Sequence, residues 1–224
     1  MSANQNTELK RIRQSVERRG INSIFHYTYV ENLPSIFRHR GIFSRRERHR
    51  LKIVPVVDDL QRWGSKGRAA EMDEYVACSL EPPYGMLEPD LQMGHKLALC
   101  DINAKLIYSL GTLFCPAWSS HRKFDLTYLQ NHATAKDFDD MFPNPFSSEP
   151  KFFGAEILVK GKVPLSEIKQ IYFVDKESRN QAVEQCTRVI DEVGKIGVII
   201  YFVIRPEVFK RPPNHYLKRS RFPH

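Results

Sequence analysis

The run Phe152-Phe153-Gly154-Ala155-Glu156-Ile157-Leu158-Val159 is too short for an ordinary helix and, apart from one carboxylate, wholly apolar. Such a run, ending in branched aliphatic side chains, reads as a well-buried strand. An ionised carboxylate held away from water must be paired, neutralised or put to use. The run therefore constrains the fold twice: it needs a covered sheet, and it needs somewhere for Glu156 to go. From the residues alone, a hydrogen-bonded structural group and a catalytic group facing a cleft both stay open.

Further strands are read at Ile24–Val30, Tyr75–Leu80, Leu97–Ile102, Lys169–Val174 and Gly197–Ile204. Residues 7–19 carry Leu9, Ile12 and Val16 at helical spacing. A short helix bears Leu33, Ile36 and Phe37 and is expected to stop at a left-handed Gly41. The clearest amphipathic helix shows Ala182, Val183, Cys186, Val189, Ile190 and Val193 on one face, with Ser178 as its cap. Arg45–Gly67 reads as a basic loop with a helical piece at Asp58–Trp63, and Pro82–Gly94 as a turn region. Gly111–Pro150 is the longest irregular stretch, with a helix at Thr134–Met141; long loops inside a compact domain are functional or disordered. The pattern is α+β. With 224 residues, no repeat and no linker, one domain is expected over residues 1–224, with its core at about 22–204 and a basic tail at 206–224.

The net charge of +8 gathers in two places: Arg38, Arg40, Arg45, Arg46, Arg48, Arg50 and Lys52, and the tail with Lys210, Arg211, Lys218, Arg219 and Arg221. Such clusters suit a polyanion whose counterions they displace; a solvated basic face is the alternative. Four scattered cysteines without a Cys-x-x-Cys pair argue against zinc and suit a reducing compartment. Neither a membrane span nor a signal-peptide core is read, so a cytoplasmic protein is expected. The usual loops of nucleotide triphosphatases, dinucleotide-binding dehydrogenases, serine hydrolases and zincins are absent from the sequence.

His26-Tyr27-Thr28 closes the first strand, and residues two apart in a strand point the same way. The ring and hydroxyl suit a ribose or an amide, or simply a satisfied strand histidine. Arg62 and Arg68 can grip a pyrophosphate bidentately, or serve as surface charge. Tyr75, Trp118 and Tyr128 are candidate platforms for a base, or ordinary filler.

Taken in chain order, these pieces resemble the DarT family of NAD-dependent ADP-ribosyltransferases that modify single-stranded DNA. The resemblance rests on Ile24-Phe25-His26-Tyr27-Thr28-Tyr29-Val30-Glu31-Asn32-Leu33 with Gly41-Ile42-Phe43-Ser44. It rests also on Leu60-Gln61-Arg62 before Tyr75-Val76, on Ser120-His121-Arg122-Lys123-Phe124, and on Gly154-Ala155-Glu156-Ile157-Leu158-Val159. It implies an ADP-ribosyltransferase-like fold, a mixed two-sheet core around an NAD cleft with peripheral helices. By resemblance, His26, Tyr27, Thr28, Asn32, Ser35, Phe43 and Arg62 hold NAD, the ADP-ribose donor, and no metal is needed. Glu156 and Arg62 match the family's catalytic pair, with Arg68 as a competing match. Arg45, Arg46, Arg48, Trp118, His121, Arg122 and Lys123 are expected along the acceptor strand, and the segment from about Cys115 to Ala155 is the recognition loop. The implied activity is transfer of ADP-ribose onto a base of single-stranded DNA, as a toxin or phage-defence effector with an antitoxin partner. Single-stranded RNA as acceptor, and a non-catalytic nucleic-acid-binding module, are the alternatives.

Overall fold

The strand-like runs pair into a seven-stranded sheet. In spatial order its strands are β5 (Leu113–Cys115), β6 (Glu156–Lys160), β3 (Tyr75–Ser79), β1 (Ser23–Tyr29), β4 (Leu97–Asn103), β8 (Ile168–Phe173) and β9 (Tyr201–Ile204). Neighbours are antiparallel except β8 and β9, which run parallel. A separate antiparallel pair joins β2 (Gly41–Phe43) to β7 (Lys162–Pro164). This computed structural model describes residues 3–57, 70–117, 126–131, 133–152, 154–194 and 197–210.

The large sheet is two half-sheets. β1 pairs with β4 at every residue from Ser23 to Tyr29, and β3 with β6 from Tyr75 to Ser79. β1 and β3 are joined by a single pair, Phe25 opposite Ser79. The expected two-sheet core thus takes the form of β5-β6-β3 and β1-β4-β8-β9, meeting at one rung.

Alternation of side chains decides what covers each face. On one face Ile24, Val76, Cys78, Cys100, Ile102, Ile157, Val159, Ile171 and Phe173 enter a single cluster spanning both halves. Helix α1 (Ala3–Arg18) contributes Ile12 and Val16 to it, and α2 (Leu33–Arg38) contributes Leu33, Ile36 and Phe37. The opposite face carries two separate clusters, one around Tyr75, Leu113, Cys115 and Leu158, the other around Tyr27, Tyr29, Leu97, Leu99 and Tyr172.

Several local expectations are corrected. Arg45–Leu51 is a helix, α3, capped by Ser44, whose Oγ accepts from the Glu47 amide at 3.3 Å. The segment read as a turn region holds α4 (Tyr84–Gln92); Gly85 and Pro89 hid it, but burial of Tyr84 and Leu87 outweighs their low propensity. Two further short helices, α5 (Leu126–Gln130) and α6 (Ala135–Asp140), lie in the stretch read as irregular, α6 with a Thr134–Asp137 capping box where a helix was expected. α2 turns off through His39 and a left-handed Arg40, and Gly41 instead begins β2. The long helix α7 (Lys176–Val193) is capped by Asp175, which accepts from the Ser178 amide at 2.7 Å, so Ser178 sits inside the first turn. The last strand is shorter than read, starting at Tyr201. The helical piece expected at Asp58–Trp63 and the tail beyond residue 210 lie outside the described residues.

Candidate active site

One line of residues crosses the whole sheet: Cys115, Glu156, Ser79, Phe25, Asp101, Gln170 and Tyr201 stand opposite one another in successive strands. Directly opposed residues share a face, so the Glu156, Ser79, Phe25 and Asp101 side chains emerge on the side that bears two separate clusters. Glu156 is 7% exposed and is the first residue of β6. Gly154, at φ 80°, makes the left-handed turn that delivers the chain to it, and Ala155 O accepts from the Leu80 amide at 3.2 Å. Glu156 lies two strands from Phe25, roughly 10 Å at ordinary strand spacing. The carboxylate therefore stands beside the place where β1 and β3 part company.

His26 occupies that parting. Its Nδ1 lies 2.9 Å from Ala77 O of β3. A carbonyl only accepts, so Nδ1 carries the proton in this contact. The ring substitutes for a ladder bond between the two half-sheets. Thr28 is buried on the His26 side of β1, as the spacing of two requires, and its Oγ1 accepts from Asn32 Nδ2 at 3.3 Å. Asn32 also grips Val57 like a strand neighbour: Nδ2 donates to Val57 O at 2.9 Å, and the Val57 amide donates to Oδ1 at 3.0 Å. That clamp fixes the chain just before the residues that include Arg62.

Tyr27 faces the other side of β1, the side that carries Phe25 and Glu156, and packs with Leu97, Leu99 and Tyr172, so His26 and Thr28 point away from the Glu156 face. Ser35 is half-buried on α2, about one turn beyond Asn32. Phe43 ends β2 with Lys162 Nζ 5.3 Å from its ring centre, and the neighbouring Ser44 amide donates to Gly161 O at 2.7 Å. Arg45 and Arg46, expected along a nucleic acid, face Asp73 (3.7 Å) and Glu74 of the turn Ala70–Glu74. Among the described residues no carboxylate is seen to pair with Arg48, which is half-buried. Tyr75, a candidate base platform, is 5% exposed core instead, and burial pushes its hydroxyl pKa up. Arg62, Arg68, Trp118, His121, Arg122 and Lys123 lie outside the described residues.

Sequence reading missed Ser79 and Asp101. The signal for Asp101 was the one used for Glu156, a lone carboxylate in the apolar run Leu97-Ala98-Leu99-Cys100-Asp101-Ile102. Asp101 is 4% exposed and accepts from Gln170 Nε2 (2.8 Å) and Tyr172 OH (3.0 Å), with Lys169 Nζ at 2.8 Å. Burial alone would push its carboxyl up; the bonds from Gln170, Lys169 and Ser23 outweigh this and hold it below the ordinary 3.8. Tyr172 is pushed to about 12, by burial first and the Asp101 charge second. Cys78, behind the rung, is raised by burial, with a smaller push from Glu156. A lowered folded-state pKa gives stability present above the unfolded value and lost as pH falls through the folded one. Urea melts below about pH 4 should thus show the wild type losing stability more steeply than Asp101→Asn. Parallel curves would exclude Asp101 as a source of the acid sensitivity.

A family model described as ssDNA thymidine ADP-ribosyltransferase, DarT, matches residues 25–209. No curated protein matches the chain. Among solved structures, the DarT of Thermus sp. 2.9 in complex with ADP-ribosylated ssDNA is similar at TM-score 0.55 and 13% identity, covering 85% of this chain and 97% of that one. The same Thermus protein in complex with NAD+ gives TM-score 0.51 and 14% identity, over 85% and 98% of the two chains. Thermosipho africanus DarTG in complex with ADP-ribose gives TM-score 0.54 and 21% identity, over 84% of this chain and 51% of that one. At these identities the structural likeness establishes the fold.

Proposed function

The chain belongs to the DarT family of NAD-dependent ssDNA thymidine ADP-ribosyltransferases, and on that premise we propose that Glu156 is the carboxylate on which the transfer turns. The observation that carries this reading is its place: a buried acid at the start of a strand, on the rung where the half-sheets part, with His26 in the parting. Breaking the bond between nicotinamide and ribose sends the bonding electrons to nicotinamide and leaves positive charge at the anomeric carbon. A fixed carboxylate beside that carbon is worth more in the transition state than in the ground state, which is the requirement for catalysis. It can also take the proton that the incoming base loses as the new glycosidic bond forms.

His26, Thr28 and Asn32, with Phe43 and Ser35, are assigned to NAD, and Arg62 to its phosphates, Arg68 being the competing choice. Tyr27, likewise assigned to NAD, lies on the Glu156 face of the sheet, opposite to His26 and Thr28. Arg48, with Arg45 and Arg46 once they exchange carboxylates for phosphates, is assigned to the acceptor strand together with Trp118, His121, Arg122 and Lys123. Exposed ion pairs are weak enough for such an exchange. The family description names thymidine in ssDNA as acceptor, which sets the RNA reading aside. The Thermosipho match, to a DarTG chain of which it covers 51%, supports a toxin role with a neutralising partner protein. Among the described residues no helix is long and apolar enough to cross a membrane.

Mass spectrometry of DNA and RNA oligonucleotides after incubation with labelled NAD tests this function. ADP-ribose should appear on thymidine of single-stranded DNA; label on RNA alone, or none with NAD intact, would overturn it. A His26→Ala protein should need about tenfold more NAD for half-saturation, the loss of one good polar contact. An unchanged KM for NAD would remove His26 from the donor site.

A further inference from the structure

Helix α1 and Arg19 precede the stretch matched by the family model, yet they grip the segment that leads into Glu156. The Arg19 side chain is 1% exposed. Its Nη2 donates to Asp139 Oδ1 at 2.6 Å, its Nη1 to Asn144 O at 2.6 Å and to Ser147 O at 3.0 Å, and its Nε to Ser15 Oγ at 3.2 Å. The guanidinium also lies 4.1 Å from the centre of the Phe142 ring. Around it, Arg18 Nε donates to Pro145 O at 3.1 Å, Ser15 Oγ donates to Asp139, and the Ala135 amide donates to Glu8 Oε2 at 3.0 Å. The Asp139 carboxyl, which burial would raise, is held below its ordinary value by Ser15, Arg19 and Arg18.

The gripped segment reaches Glu156 by two routes. Along the backbone, the Lys151 amide donates to Met141 O at 2.7 Å, closing residues 141–151 into a loop that ends five residues before the carboxylate. Through side chains, Phe142 packs on Phe138 and Phe138 on Phe114, each at 5.2 Å, and Phe114 of β5 stands opposite Ile157 of β6. The candidate NAD residues His26, Thr28, Asn32 and Phe43 lie on elements outside this network.

We infer that Arg19 is a positioning residue, fixing residues 139–151 so that the acceptor strand meets Glu156 in register. The inference rests on the transferase reading above. A planar guanidinium serves its carboxylate and two carbonyls at once, whereas an ammonium is a point charge without that fork. Without it, the Asn144 and Ser147 carbonyls lose their donor, and of the bonds from α1 to the loop the exposed one from Arg18 to Pro145 O is left.

The test compares full-length Arg19→Ala and Arg19→Lys proteins with wild type, varying a thymidine-containing oligonucleotide and NAD independently and following hydrogen exchange. Both variants should raise KM for the oligonucleotide about tenfold, leave KM for NAD within about twofold, and speed amide exchange at residues 141–151 while α7 stays protected. A role confined to stability would lower kcat with the folded fraction and move neither KM; that result, or unchanged exchange in the loop, overturns the inference. Should Arg19→Ala fail to fold, Asp139→Asn removes a charged partner while keeping shape. It should raise KM for the oligonucleotide about threefold, and no change would be equally fatal. If wild type modifies no DNA, the transferase reading fails, and loop exchange still decides whether Arg19 holds the segment.

Discussion

Glu156→Gln protein is expected to transfer ADP-ribose about 10²–10³-fold more slowly than wild type, the range seen when one preorganised electrostatic group is removed from an active site. Glutamine keeps the shape and most of the hydrogen-bonding capacity of a side chain that is 7% exposed, so the β6 ladder should survive. The useful measurement pairs single-turnover transfer with NAD binding. Binding within about threefold of wild type and a collapsed rate places the loss in the transition state. A variant that labels DNA at the wild-type rate ends the assignment. One that neither binds NAD nor melts cooperatively would make Glu156 a structural carboxylate, the other reading its sequence context allowed.

The second large effect is expected at Gly41, which opens β2 at φ 155°. A Cβ there would sit 2.5 Å from Val163 O, a backbone atom that cannot swing aside. Gly41→Ala should therefore separate β2 from β7, at a cost of about 3 kcal/mol. The damage should reach the proposed donor site, because the same junction carries Phe43 and the Ser44 amide bonded to Gly161 O. Urea melts should show a lower midpoint with the same slope, and KM for NAD should rise in the folded fraction. A Gly41→Ala protein as stable as wild type would mean that β7 relaxes away without penalty.

Much of the central sheet was legible because burial on both faces leaves continuous apolar runs, as at Leu97–Ile102 and Ile157–Val159. The long helix was legible from its stripe, but its cap was misassigned to Ser178, since several polar residues in a row satisfy the same local pattern. α4 escaped because Pro82, Pro83, Gly85 and Pro89 give strong local signals against a helix that tertiary contacts override. β2 and β7 escaped because three-residue strands carry no period. Of the site, Glu156 and the His26–Thr28 pair stood out in the chain as residue types in telling contexts. Their relation did not, because the rung through Phe25 and Ser79 depends on register between distant strands. Arg19 was invisible for the same reason: Asp139, Asn144 and Ser147, which it holds, are more than a hundred residues away.

The order of strands in the sheet also bears on biosynthesis. β6 lies between β5 and β3, so those two, although made first, have no contact in the ladder until residues 156–160 leave the ribosome. The residue that opens β6 is Glu156 itself. A nascent chain thus acquires the carboxylate proposed as catalytic and the closure of that half of the sheet in one step, and a product truncated before that point holds neither. For an enzyme that consumes NAD, late insertion of β6 between β5 and β3 would, on the proposed role of Glu156, keep unfinished copies inert.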